Sequence, residues 1–190
     1  MKIKNVLIAS MIAGATLMTS SAFAAQKTVN VPLVSDMEGG YNAHFGNNFN
    51  SADFNSVFTD KYMFTLTGAY DSAASVTSSF LKSGTIKDLL ITSFNIVQYD
   101  PLTTSILHTY AGTNITNGIT DNWELSASGL SAGSYYVEVG GKVMGNGGGS
   151  YGSDLTISLA PVPEPETYAM MGLGLGLMGL VARRKKAKAA

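Results

Sequence analysis

An all-β body is predicted between Ala25 and Ala160, on three observations. Apolar and polar residues alternate in short runs, turn-forming glycine and asparagine clusters separate the runs, and no helical period persists over ten residues. The candidate strands are Thr28–Val34, Val57–Thr67, Ser75–Leu81, Leu89–Tyr99, Ser105–Thr109, Thr120–Ser126, Ser134–Val143 and Asp154–Leu159. Eight strands without internal repeats fit a single two-layer, jelly-roll-like β-sandwich better than a solenoid or propeller. A body of this size buries roughly two-thirds of its unfolded surface. The absence of cysteine therefore needs no compensation from another cross-link.

The punctuation falls between the strands. Gly39-Gly40, Ser83-Gly84, Ser131-Ala132-Gly133 and the run Gly145-Asn146-Gly147-Gly148-Gly149 supply residues that tolerate positive φ, the last as a flexible hairpin loop. Tyr41 to Asn50, rich in Asn and Gly, is expected to be a long loop.

Both ends carry segments of a different kind. Lys2 and Lys4 precede an apolar run from Val6 to Met18, and Ala22-Phe23-Ala24 places small residues at the two positions that a signal peptidase reads. Residues 1–24 are thus expected to be a secretory signal, cut after Ala24, with 25–160 forming the body. At the other end, Pro161, Pro163 and Pro165 hold an extended segment open to a protease. An apolar stretch of 15 residues follows from Tyr168 to Ala182, about 22 Å long as a helix and short for crossing a bilayer. Arg183, Arg184, Lys185 and Lys186 then stop translocation and hold the tail on the cytoplasmic side. The run Gly174 to Gly179 spells G-x-G-x-x-G, yet no strand precedes it and no acid follows at the ribose-binding distance, so it is no dinucleotide site.

The order Val162-Pro163-Glu164-Pro165, glycine-rich apolar helix, basic cluster resembles the PEP-CTERM sorting signal of Gram-negative exosortase substrates, over residues 161–190. The resemblance implies a transient inner-membrane anchor, cleavage near Pro163, Glu164 and Pro165 by a membrane-embedded exosortase, and delivery to the cell surface or extracellular matrix. It further implies an association with exopolysaccharide and biofilm.

Within the body, Phe58-Thr59-Asp60-Lys61-Tyr62-Met63-Phe64 puts Phe58, Asp60, Tyr62 and Phe64 on one face of a strand, a carboxylate inside an aromatic row. The segment resembles the FxDxF group of PEP-CTERM proteins, departing from it at Tyr62. For Asp60 two roles stand side by side. It accepts backbone or tyrosine hydrogen bonds at the sheet edge, or it binds sugar hydroxyls or Ca²⁺. Leu130 to Gly141, with Gly133-Ser134-Tyr135-Tyr136 at its centre, is similar to strands of bacterial pre-peptidase C-terminal-like sandwich domains. That likeness implies a sandwich and nothing about activity.

The chain has 12 Lys+Arg against 13 Asp+Glu, but seven of the basic residues crowd the ends, leaving five against eleven acids in the body, a net charge of about −6. Nucleic-acid binding is disfavoured by that sign. Thiol chemistry is excluded. Neither His44 nor His108 stands in a recognisable catalytic motif, so no enzyme is expected and no catalytic residue is assigned. No cofactor is expected either, although Asp36, Glu38, Asp53, Asp60, Asp71, Asp100, Asp121 and Asp154 near loops leave Ca²⁺ open. The expectation is a non-enzymatic, exosortase-processed surface or matrix protein whose partners are signal peptidase, exosortase and exopolysaccharide. The alternatives are a carbohydrate-active enzyme with paired carboxylates, or a carbohydrate-binding module with Tyr41, Phe45, Trp123 or Tyr151 as exposed stacking platforms.

Overall fold

The computed structural model describes residue 24 and residues 26–79, 87–160 and 170–179. Among the described residues, eleven strands form two packed sheets: β1 (Thr28–Asn30), β2 (Val34–Ser35), β3 (Tyr41–Phe49), β4 (Val57–Leu66), β5 (Tyr70–Ser79), β6 (Leu89–Tyr99), β7 (Ile106–Ala111), β8 (Thr113–Asn117), β9 (Asp121–Leu130), β10 (Gly133–Val143) and β11 (Gly149–Leu159). The first sheet has the order β1-β4-β10-β6-β7 and the second the order β2-β3-β11-β5-β9-β8. All pairings are antiparallel except β1 on β4.

The period of two decides which side chains meet. Phe58, Tyr62, Phe64 and Leu66 from β4, Tyr135, Val137, Val139 and Val143 from β10, and Leu89, Ile91, Phe94 and Ile96 from β6 are buried from the first sheet. Ala43, Phe45 and Phe49 from β3, Ala74 and Val76 from β5, Leu125 and Ala127 from β9, and Tyr151, Leu155 and Ile157 from β11 face them from the second. The all-β sandwich read from the sequence is the observed architecture.

Three strand assignments differ. Tyr41 to Asn50, expected as a loop, is mostly β3, paired with β11 over nine residues. Its asparagines and glycine mask the alternation that buries Ala43, Phe45 and Phe49. The expected strand Thr28–Val34 is two strands, because the chain leaves the first sheet at Asn30 and joins the second at Val34. Pro32 between them has no N–H with which to pair. The missed strand β8 arises in the same way on the opposite side of the sandwich. The chain runs from β7 in the first sheet through Gly112 into β8 in the second, and a Cβ at Gly112 would press on the Phe94 and Glu124 carbonyl oxygens. The Gly145–Gly149 loop is a turn whose last residue opens β11, with Gly148 at φ +95°. The expected Ser83-Gly84 turn lies outside the described residues.

Candidate functional site

Asp60 is fully buried between the sheets. β4 directs it inward with its aromatic neighbours, and three elements supply donors. The Lys27 backbone N–H, just before β1, donates to Oδ1 at 2.9 Å, while Asn47 Nδ2 from β3 and Tyr151 OH from β11 donate to Oδ2 at 2.8 and 2.6 Å. Tyr151 spends its one proton on Asp60, so Tyr62 OH donates to Tyr151 at 2.9 Å. Above the cluster the Lys27 ammonium donates to the Gly46 carbonyl at 2.7 Å and sits 5.6 Å from the Tyr62 ring centroid. Phe45 stacks on Tyr62 at 4.3 Å and Phe58 on Tyr151 at 5.8 Å, while Phe64 stacks on Tyr135 at 5.6 Å.

Burial is the largest cause raising both phenols. Tyr62 is pushed up to about 12, and Tyr151 is raised further by its hydrogen bond to Asp60. Phe58, Asp60, Tyr62 and Phe64 thus fasten the two sheets together, and the carboxylate's donors come from the protein itself. The carboxylate lies in the interior and not at the sheet edge.

A second buried carboxylate does the same at the other side. Asp121 on β9 accepts from Lys87 Nζ at 2.5 Å and from the Ile91 N–H at 2.8 Å, joining the second sheet to β6 of the first. Lys87 also reaches Asn117 Oδ1 at 2.8 Å. The remaining acids singled out for Ca²⁺ mostly hold turns. Asp36 accepts from Glu38 and Gly40, Asp53 from the Asn50 N–H, Asp71 from Gly129 and Asp100 from Leu102. Among the described residues no three His, Asp or Glu side chains converge to hold a metal ion.

The outward face of the second sheet carries an open groove of about 260 Å³. Its floor is β5, whose Ala73 and Ser75 are too short to fill the space between the taller side chains of β9 and β11. Glu124 and Ser126 stand on one side, Asp154 and Thr156 on the other. Glu124 and Asp154 both pair in register with Ser75, so their Cα atoms are two strand spacings apart, roughly 10 Å. His44 on β3 lies opposite Asp154 and its Nδ1 contacts Asp154 Oδ1 at 2.8 Å, both side chains being 74% exposed. Sequence patterning singled out Asp154 and His44 separately and missed Glu124. The pairing of β5 between β9 and β11, which brings them together, left no signal.

The four aromatics proposed as stacking platforms are not an exposed row. Phe45 and Tyr151 are buried, and Tyr41 and Trp123 are half-buried against the core. His108 packs beside Tyr110, ring centroids 4.7 Å apart, on the outermost strand of the first sheet.

The processing residues fall mostly outside the described part. Ala24 is described: it is buried and its N–H bonds the Val57 carbonyl at 3.0 Å. Ala22, Pro163, Glu164, Pro165, Arg183, Arg184, Lys185 and Lys186 lie outside the described residues. The apolar segment appears as helix α1, residues 170–179, which spans about 15 Å. Met170, Met171, Leu173, Leu175, Leu177 and Met178 are exposed around its whole circumference. This helix is the described part of the apolar stretch Tyr168–Ala182, whose other residues lie outside the described ones. Among the described residues no helix is long and apolar enough to cross a membrane.

The molecule is therefore an all-β sandwich followed by a short, wholly apolar helix. Residues 161–186 match the model of the PEP-CTERM protein-sorting motif, so the chain carries that motif after its sandwich. The motif implies an exported protein, processed by exosortase and held by a C-terminal membrane anchor before cleavage. No curated protein matches the chain. Among solved structures it is similar to the periplasmic inhibitor of g-type lysozyme PliG from Aeromonas hydrophila, at 17% identity and a TM-score of 0.34, covering 70% of this chain and 98% of that one. It is also similar to the pre-peptidase C-terminal domain of a collagenase from Bacillus anthracis, at 17% identity and a TM-score of 0.33, covering 68% and 93%.

Proposed function

We propose that the body is a non-enzymatic cell-surface or extracellular-matrix protein that contacts exopolysaccharide in a biofilm, after signal peptidase has cut behind Ala24 and exosortase near Pro163, Glu164 and Pro165. The sorting motif at residues 161–186 is the observation that carries this function. The groove on the second sheet supports a glycan contact. It is open, shallow and lined by hydroxyls and carboxylates that match sugar hydroxyls, with no exposed aromatic row among the described residues to give tight stacking. Contacts of that kind are individually weak, and a matrix protein gains retention from many copies along one polymer.

Co-sedimentation of the protein with the host's own exopolysaccharide tests this function. Retention that falls several-fold in the double variant Glu124→Ala, Asp154→Ala supports the groove as the contact. Equal retention of both proteins removes the groove, and no retention of either removes the polysaccharide partner.

A second function, a carbohydrate-active enzyme, is favoured by one observation: Glu124 and Asp154 flank the groove at a spacing within reach of paired-carboxylate chemistry. A bell-shaped pH–rate profile on an extracellular glycan, abolished by Glu124→Gln, would establish it. Inertness across a glycan panel would dismiss it.

A further inference from the structure

The two open sides of the sandwich are unlike. On one, the outermost strands are β1 and β2, three and two residues long, interrupted by Pro32, so little backbone is left to pair. On the other, β7 ends the first sheet with six residues and continues through Gly112 into β8, which ends the second.

The direction of the free groups on β7 follows from its register with β6. Gly112 N–H donates to the Phe94 carbonyl at 2.7 Å, and Ala111 and Thr109 stand opposite Asn95 and Val97. Hydrogen-bonded and non-bonded pairs alternate in an antiparallel ladder, so Tyr110 and His108 bond β6 while Ala111 and Thr109 turn their N–H and C=O groups to the open side. Exposed apolar side chains line the same strand and the turn before it: Leu102, Ile106 and Leu107 are 93%, 62% and 59% exposed.

β7 itself is also uncharged. Residues 101–120 contain no Asp, Glu, Lys or Arg, whereas the body as a whole carries about −6. Charged residues are the common protection of an open strand edge, and β7 carries none of its own. Two copies of an acidic body repel each other least through a strand that carries no charge. We infer that β7 is a pairing edge for a second copy of this chain: two β7 strands align antiparallel about a two-fold axis at Thr109, joining the first sheets of both copies into one continuous sheet. The axis sets Thr109 against Thr109 of the second copy as a hydrogen-bonded pair. Because the β1 and β2 side is blunted, association stops at a closed dimer and does not extend into a filament.

Sedimentation equilibrium of the purified full chain in mild detergent tests this. The wild type is expected to reach a dimer. Thr109→Pro, which removes an outward N–H while leaving the bonds to β6, and Leu107→Lys, which puts charge on the edge, each weaken the dimer at least about tenfold, with unchanged urea midpoints at dilutions where every protein is monomeric. In a chain without cysteine, Thr109→Cys forms an intermolecular disulfide on oxidation, since paired Cα atoms at about 5.5 Å suit that bond. Thr77→Cys, on the outward face of the second sheet, serves as the control. A monomeric wild type overturns the inference, as does a dimer that both edge variants leave unchanged, which would assign association to α1. Equal cross-linking of Thr77→Cys and Thr109→Cys also overturns it.

Discussion

Tyr151 on the second sheet and Asp60 on the first meet in the sandwich interior, the phenol donating to Oδ2 at 2.6 Å. Asp60 is 0% exposed, so no water replaces a donor that is taken away. Tyr151→Phe removes one charge-assisted bond and leaves Tyr62 OH without its acceptor, at a cost of roughly 1.5–3 kcal/mol. Asp60→Ala strands the Lys27 N–H, Asn47 and Tyr151 together and costs about 3 kcal/mol or more. Urea denaturation reads both. Values near zero would mean that the carboxylate is solvated and not a fastening between the sheets.

The same pair of phenols makes the fold sensitive to alkali. Tyr62 is raised from an ordinary value near 10 to about 12, and Tyr151 is raised as well. Above pH 10 the unfolded chain loses these protons while the folded chain keeps them. Stability present in full below pH 10 is therefore lost as pH climbs toward 12. Two pKa units for Tyr62 alone correspond to about 2.7 kcal/mol. Unfolding free energy measured at pH 9 and pH 11.5 should fall by about that order, and phenolate absorbance from Tyr151 should appear only with unfolding.

Lys87 and Asp121 offer a contrast with His44 and Asp154. Asp121 is fully buried and the Lys87 side chain is 17% exposed. Lys87→Met leaves a buried carboxylate short of its cation and should cost about 3–5 kcal/mol. His44→Ala breaks a contact whose two partners are 74% exposed and should leave the urea midpoint unchanged. Equal effects from the two substitutions would contradict the burial on which this distinction rests.

Two glycines, one in each sheet, should behave oppositely. A Cβ on Gly141 would collide with the Leu90 carbonyl oxygen and the Phe58 ring, at the bulge where β10 shifts register against β6. Gly141→Ala should destabilise by about 1–3 kcal/mol. A Cβ on Gly152 meets nothing nearer than a His44 ring carbon at 3.8 Å, so Gly152→Ala should be neutral or slightly stabilising. Thermal unfolding of the two variants checks the pair.

The sandwich was legible because β4 alternates cleanly, Phe58, Tyr62 and Phe64 on one face with Thr59, Lys61 and Met63 on the other. β3 was not, because Asn42, His44, Asn47 and Asn48 are turn-favouring residues and only tertiary burial of Phe45 and Phe49 makes a strand of them. The changes of sheet at Pro32 and Gly112 were hidden for a related reason. A period of two continues across them while the partner strand changes. The aromatic row around Asp60 was visible, but its donors Lys27, Asn47 and Tyr151 lie 33, 13 and 91 residues away and no local pattern links them. The groove was invisible, since it exists only where β5 lies between β9 and β11.

The central claim is that the sandwich is delivered and then released through its sorting motif, and intact mass of the protein in the host's extracellular fraction tests it most directly. The wild type should begin at Ala25 and lack the segment from Tyr168 onward, while Glu164→Ala should stay in the membrane fraction at a higher mass. A wild-type protein that leaves the cell with its apolar segment and Arg183 to Lys186 still attached would contradict the account.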